Sequence, residues 1–236
     1  MTLTLPARQQ FANSSALAAA FAQWTAERLS EGVEERGAAL LVVSGGTTPL
    51  HYFEALLKLP IDWSRISITL ADERRVPDDS PRSNARLVRE ALLRDNAANA
   101  TFVPLADSRL DEEQELAAAN VRVAALPAPA NVVVLGMGDD GHTASWFPHA
   151  DGLAEAIDIG ARVLVAPIRP PGSLEPRLTL TGRVLLRAHA LALHIEGAKK
   201  LATLDKALED GPAEDMPIRV VLRQAVDRLT VFCTEA

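Results

Sequence analysis

The chain has 236 residues, 48% of them hydrophobic, and a formal net charge of −7; this gives apolar material for one sizeable core and opposes the clustered positive charge that nucleic acid or an anionic membrane requires. Its single cysteine, Cys233, excludes an internal disulfide and suits a reducing compartment. The first residues lack the apolar core of a secretory signal, and no apolar run approaches the ~18 residues of a membrane span, so a cytoplasmic protein with neither nucleic-acid nor membrane partners is expected.

Residues 14–36 are rich in Ala, Leu and Glu with apolar positions at helical spacing, which predicts a helix capped by Asn13 or Ser14 and ended by Gly37. The run Ala39-Leu40-Leu41-Val42-Val43 is too short for a helix and reads as a strand, followed by the loop Ser44-Gly45-Gly46-Thr47-Thr48-Pro49 and an amphipathic segment through Lys58. The pattern recurs. A strand over residues 66–70 leads into Ala71-Asp72-Glu73-Arg74-Arg75-Val76-Pro77 and a helix over 83–94; a short strand over 101–105 precedes a helix over 111–126. Pro127-Ala128-Pro129 then resets the chain before a β-branched strand that begins at Val132. Further strands are predicted over 163–168, 177–181, 190–195 and 229–232, with a helix over 197–208. Strands separated by helices predict an α/β fold with a largely parallel sheet covered on both faces. The Pro-rich patch at 167–173 is closely flanked by strand patterns and reads as a loop within a single domain spanning residues 1–236.

The stretch from Val132 to Pro148 is the most informative, because a buried strand passes through Gly136, Gly138 and Gly141 into a segment carrying Asp140 and His142. Glycines permit sharp turns and close approach to a ligand, and the carboxyl ends of α/β strands are where such sheets bind ligands. An imidazole titrates near neutral pH, so His142 is the candidate base that takes a proton from water and returns it to a leaving oxygen. Asp140 is placed to orient the ring and stabilise its charged form. The Gly-x-Gly-x-x-Gly spacing does not make a dinucleotide site, because neither the helix start nor a ribose-binding acid follows correctly.

Ser44 to Thr48 joins a strand to a helix, and reads either as an anion cradle of free backbone N–H groups or as an ordinary Gly-Gly turn with a threonine cap. Lacking Gly-Lys-Ser/Thr, it is not a nucleoside triphosphate loop. Asp72, Glu73 and Arg74 follow a strand as solvated turn charges, or with Arg74 offering its planar fork to phosphate or carboxylate. Arg177 and Lys200 are late cations, either two surface charges or a pair converging on one anion. The remaining histidines form no metal-ligand pattern, so no metal is expected, and Ser145 lacks the Gly-x-Ser-x-Gly setting of a nucleophile.

Ser-Gly-Gly-Thr-Thr-Pro at 44–49, Ala-Asp-Glu-Arg-Arg-Val-Pro at 71–77 with Ser83-Asn84, Gly-Met-Gly-Asp-Asp-Gly-His-Thr-Ala-Ser-Trp-Phe-Pro at 136–148, and Pro-Arg-Leu-Thr-Leu-Thr at 176–181 leading to Gly197-Ala198-Lys199-Lys200 together resemble the 6-phosphogluconolactonase family, within the larger group that holds the glucosamine-6-phosphate isomerases. The resemblance implies a three-layer α/β/α sandwich of the NagB/RpiA-like, modified Rossmann kind with a mostly parallel sheet. It also implies cofactor-free hydrolysis of a small sugar-phosphate lactone, 6-phospho-D-glucono-1,5-lactone, to 6-phosphogluconate in the oxidative branch of the pentose phosphate pathway. By the same resemblance His142 activates the water with help from Asp140, and Ser44, Gly45, Gly46, Thr47 and Thr48 hold the phosphate. Asp72, Arg74, Arg177 and Lys200 are the further substrate-binding candidates, Lys200 rather than Lys199 fitting the family's Gly-x-x-Lys spacing.

Two departures stand out: Trp146 replaces a common Leu and is expected to narrow the pocket, and an Asn common near Leu186 is missing. A glucosamine-6-phosphate deaminase is the rival reading, but its relatives carry Asp-Glu-Tyr and Gly-His-Ile-Ala-Phe-Asn-Glu-Pro at the corresponding places. A non-catalytic sugar-phosphate sensor would bring a DNA-binding segment that the acidic charge opposes. Monomer and small homo-oligomer both remain open.

Overall fold

The computed structural model describes residues 6–172 and 175–236; Ser173, in the Pro-rich patch, lies outside them. The chain opens with β1 (Ala7–Phe11) and α1 (Ser14–Arg36). The Asn13 side chain caps α1 by accepting the Ala16 N–H at 2.9 Å, and Gly37 ends it in the left-handed region at φ 78°, as its sequence predicts. Next come β2 (Ala39–Val43), α2 (Leu50–Leu56), β3 (Ile66–Leu70), β4 (Asp72–Arg74), α3 (Asn84–Ala91) and β5 (Thr101–Val103). They are followed by α4 (Glu112–Ala124), β6 (Val132–Leu135), α5 (Leu153–Ile157), β7 (Val165–Ile168), β8 (Arg177–Leu180) and α6 (Gly182–Leu185). The chain finishes with β9 (Ala190–Glu196), α7 (Ala198–Leu208), α8 (Ile218–Gln224) and β10 (Leu229–Thr234).

Seven strands form one sheet in the order β1-β10-β9-β6-β2-β3-β5, every neighbouring pair parallel. Every residue of β2 and β6 is buried, as a parallel strand covered on both faces requires. On one face α1 packs against α2, and Phe21 stacks on Tyr52 at 4.1 Å and on Phe232 at 4.5 Å. Burying each such side chain contributes about 1.5–3 kcal/mol. Among the described residues no helix is long and apolar enough to cross a membrane.

The strands predicted over 163–168 and 177–181 are present as β7 and β8, and they lie outside the parallel sheet, in a second, antiparallel sheet in the order β4-β8-β7. The link between β7 and β8 is too short for a helical crossover, so the two strands pair as neighbours running in opposite directions. The segment read as a polar turn, Asp72-Glu73-Arg74, is itself the strand β4, with Arg74 directly opposite Arg177. Strand β1 escapes prediction because Ala7–Phe11 has no apolar alternation; it is an exposed edge held by backbone pairing with β10.

Candidate active site

The carboxyl ends of β2, β6 and β9, with β4 and β8 across from them, enclose a cavity of about 330 Å³. At the end of β2 the Ser44 hydroxyl donates to the Val134 carbonyl at 2.9 Å, tying the turn to β6. A Cβ at Gly45 would overlap the Asn84 carboxamide, and Gly46 sits at φ 87°, so both glycines are required where they stand. Ser44, Gly45, Gly46, Thr47 and Thr48 all line the cavity. The threonine cap is not found: α2 begins after Pro49, in helical conformation at φ −77°, with no side-chain cap.

Beyond β6 the backbone doubles back. The Gly138 N–H donates to the His142 carbonyl at 2.9 Å, the Gly141 N–H donates to the Gly138 carbonyl at 3.0 Å, and Gly141 turns at φ 80°. A Cβ at Gly138 would overlap the His142 ring. The loop therefore sets the imidazole over Gly138 at the cavity wall. His142 Nδ1 lies 2.6 Å from Asp140 Oδ1, and the same oxygen accepts the His142 backbone N–H at 3.1 Å. Paired with a carboxylate, Nδ1 carries the hydrogen, and Nε2 is left as the basic nitrogen. Burial raises the Asp140 carboxyl, but the hydrogen bonds from the His142 ring and backbone outweigh it and hold the group below its ordinary value.

Opposite, Asp72 is buried at 5% exposure, with Oδ2 accepting the Ser145 hydroxyl at 2.5 Å and lying 3.8 Å from the Arg177 guanidinium. Glu73 is no solvated turn charge. It is 2% exposed and accepts the N–H groups of Arg74, Asn84 and Ala85 at 2.7, 2.9 and 2.7 Å, with the Ser83 hydroxyl at 3.1 Å, which anchors the start of α3. Arg74 donates to the Arg82 carbonyl at 2.5 Å, and the Nε atoms of Arg74 and Arg177 are buried without a partner among the described residues. Burial lowers the hold of Arg177 on its proton, and Asp72 offsets part of that loss.

Lys200 lines the cavity, whereas Lys199 turns to Asp139 at 2.5 Å on the surface. The sequence candidates Ser44 to Thr48, Asp72, Arg74, His142, Arg177 and Lys200 thus share one cavity, with Asp140 behind the imidazole. Trp146 does not narrow it: the ring is fully buried, donates Nε1–H to the Leu180 carbonyl at 3.1 Å and lies in the core, while Ala144 lines the wall. Leu186 is likewise buried in the core, away from the cavity lining. Sequence reasoning missed Phe147, whose ring lies 4.3 Å from that of His142 and 4.8 Å from the Arg177 guanidinium. It also missed His194, on the cavity wall at 3% exposure. Among the described residues no group of three or more His, Cys, Asp or Glu side chains is arranged to hold a metal ion.

A parallel α/β sheet whose strand ends carry an imidazole–carboxylate pair facing a glycine turn and three cations defines an enzyme for a small anionic substrate. The chain belongs to the glucosamine-6-phosphate isomerase/6-phosphogluconolactonase family, whose model matches residues 12–231. It is 46% identical over 222 residues to the 6-phosphogluconolactonase of Rhizobium meliloti strain 1021, covering 94% of this chain and 96% of that one. It is 44% identical over 224 residues to that of Pseudomonas aeruginosa, covering 94% of each chain. The crystal structure of a 6-phosphogluconolactonase from Shewanella baltica OS155 superposes with a TM-score of 0.94 at 40% identity, over 98% of this chain and 99% of that one.

Proposed function

We propose that this chain hydrolyses 6-phospho-D-glucono-1,5-lactone to 6-phospho-D-gluconate, in the oxidative branch of the pentose phosphate pathway. The observation that carries the reading is His142, with Nδ1 fixed by Asp140 and Nε2 unclaimed among the described residues, in one cavity with the Ser44–Thr48 turn and with Arg74, Arg177 and Lys200. In this reading the substrate phosphoryl group rests against the turn and the cations, and the lactone carbonyl reaches toward the imidazole. Nε2 takes a proton from water as the water oxygen attacks C1. The imidazolium, stabilised by Asp140, then gives that proton to the ring oxygen as the tetrahedral intermediate collapses and the C1–O bond breaks. A lactone is an activated ester, so general acid–base help of ~10²- to 10⁴-fold together with positioning through the remote phosphoryl group suffices without a covalent intermediate.

The groups that form the site run from Ser44 to Lys200, and nearly all buried apolar side chains among the described residues join one cluster, which supports one catalytic domain. The lone buried Cys233 supports a cytoplasmic setting. The test is acid release from freshly made phosphogluconolactone with the spontaneous rate subtracted. Acceleration that disappears in His142→Gln supports the reading. No acceleration overturns it, and ammonia release from glucosamine 6-phosphate replaces it with the isomerase chemistry.

A further inference from the structure

His194 lies on β9 at the cavity wall, 3% exposed, and its two ring nitrogens have opposite fates. Nε2 is 2.8 Å from Glu196 Oε1, while the other Glu196 oxygen accepts a hydrogen bond from the Ser14 hydroxyl. The bond from His194 holds the Glu196 carboxyl below its ordinary value; burial opposes this and the bond from Ser14 adds to it. Facing a carboxylate oxygen at 2.8 Å, which can only accept, Nε2 carries the hydrogen of that contact. Nδ1 is buried without a hydrogen-bond partner among the described residues, a state that native interiors seldom leave unexplained.

The elements around the ring narrow what Nδ1 awaits. α1 contributes the Phe21 ring, edge-on at 5.4 Å, and the Ser14 hydroxyl; β10 contributes Phe232, paired with His194 across the sheet and stacked on Phe21. α2 brings His51 within electrostatic reach of Glu196. α7 brings Lys200 to the same cavity, with Asp72, Arg74 and Arg177 on its other wall and the Ser44–Thr48 turn beside it. Among the described residues Glu196 is thus the one anion bonded to the ring, and the cavity beside it is lined by groups suited to a second.

We propose that His194 is a ligand-binding residue of the phosphoryl end, which takes one proton from solvent onto Nδ1 when the phosphoryl group arrives and holds it between Glu196 and that group. A neutral ring would turn a lone pair toward phosphoryl oxygens, whereas the imidazolium donates to both anions. The proton returns to solvent when the product leaves. This inference rests on the phosphoryl placement given above.

The full-length protein, labelled with ¹⁵N-histidine, is titrated with inorganic phosphate and separately with 6-phosphogluconate. On saturation the His194 Nδ1 resonance is expected to move to the protonated range. Calorimetry in buffers of different ionisation heat should show proton uptake on binding that is reduced in His194→Gln. In the same variant KM for the phosphorylated lactone should rise about tenfold with kcat within about twofold, as for loss of one charge-assisted contact. Wild-type KM should rise with pH, and that dependence should flatten in the variant. A ring resonance unchanged at saturating phosphate, or a variant that loses stability but keeps the wild-type KM, overturns the inference. Movement of the resonance in a protein that hydrolyses no lactone would sustain it while refuting the proposed reaction.

Discussion

At the scale of single residues the proposed chemistry depends on which nitrogen of His142 is free. Asp140→Asn tests this directly: a carboxamide can turn its N–H toward Nδ1, which puts the ring hydrogen on Nε2 and removes the base, so kcat should fall by about 10²-fold or more with the fold intact. Near-normal turnover would exclude the orienting role. The same carboxyl sets a pH response. Its folded value lies below the ordinary one, so its stabilising contribution is fully present above the ordinary carboxylate value and is lost as pH falls through the lower folded value. Denaturant titrations should therefore show the gap between wild type and Asp140→Asn closing only in that acid window. His142 and Asp140 were legible because three glycines after an apolar strand announce a backbone that must turn tightly toward a ligand. His194 was not, since a histidine inside an apolar strand looks like any packed side chain until the fold sets β9 beside the turn after β2. Trp146 misled for the converse reason: its place next to the His142 loop says nothing about which way it points, and it points into the core.

At the scale of elements, two close approaches hold the loops in place. Gly138→Ala would push a methyl group into the His142 ring, so kcat should drop while far-ultraviolet circular dichroism stays native; retained kcat would mean that the loop does not fix the imidazole. Glu73 secures the start of α3 and, through Asn84, the wall behind Gly45, with the Asn84 side chain donating to the Asp72 carbonyl at 2.9 Å. In Glu73→Gln the amide nitrogen meets donors it cannot accept from, and the unsatisfied groups should cost about 1–3 kcal/mol in urea denaturation. Periodicity revealed the strands and helices that build the parallel sheet, because fully buried strands and amphipathic helices have distinct spacings. It did not reveal β4. Three residues beginning with two charges carry no apolar alternation, and they become a strand only because β8 lies antiparallel beside them.

At the scale of the whole molecule, that small antiparallel sheet is what gathers a charge pattern into the proposed binding site. It sets Arg74 opposite Arg177, and the parallel sheet brings Lys200 to the same cavity, so cations far apart in sequence converge inside a chain whose net charge is −7. Sequence reading left open whether Arg177 and Lys200 were surface charges, because convergence belongs to topology and not to spacing. An acidic exterior repels an anionic substrate while the cavity attracts it, so attraction is confined to short range and depends on salt. Raising ionic strength from about 0.01 M to about 0.2 M shortens the screening length from ~30 Å to below ~10 Å. Screening outside the cavity weakens the general repulsion, whereas screening at its mouth weakens the specific attraction. Cations that are half-buried and partly desolvated are screened less than exposed ones, so KM for the phosphorylated lactone should change by only a few-fold and kcat hardly at all. Arg177→Gln should raise KM by about tenfold or more at every salt concentration, since it removes a half-buried cation and leaves the buried Asp72 without the counter-charge it has among the described residues. A loss confined to kcat would instead place Arg177 at the carbonyl that reacts, and would move the phosphoryl group toward Lys200 and the Ser44–Thr48 turn.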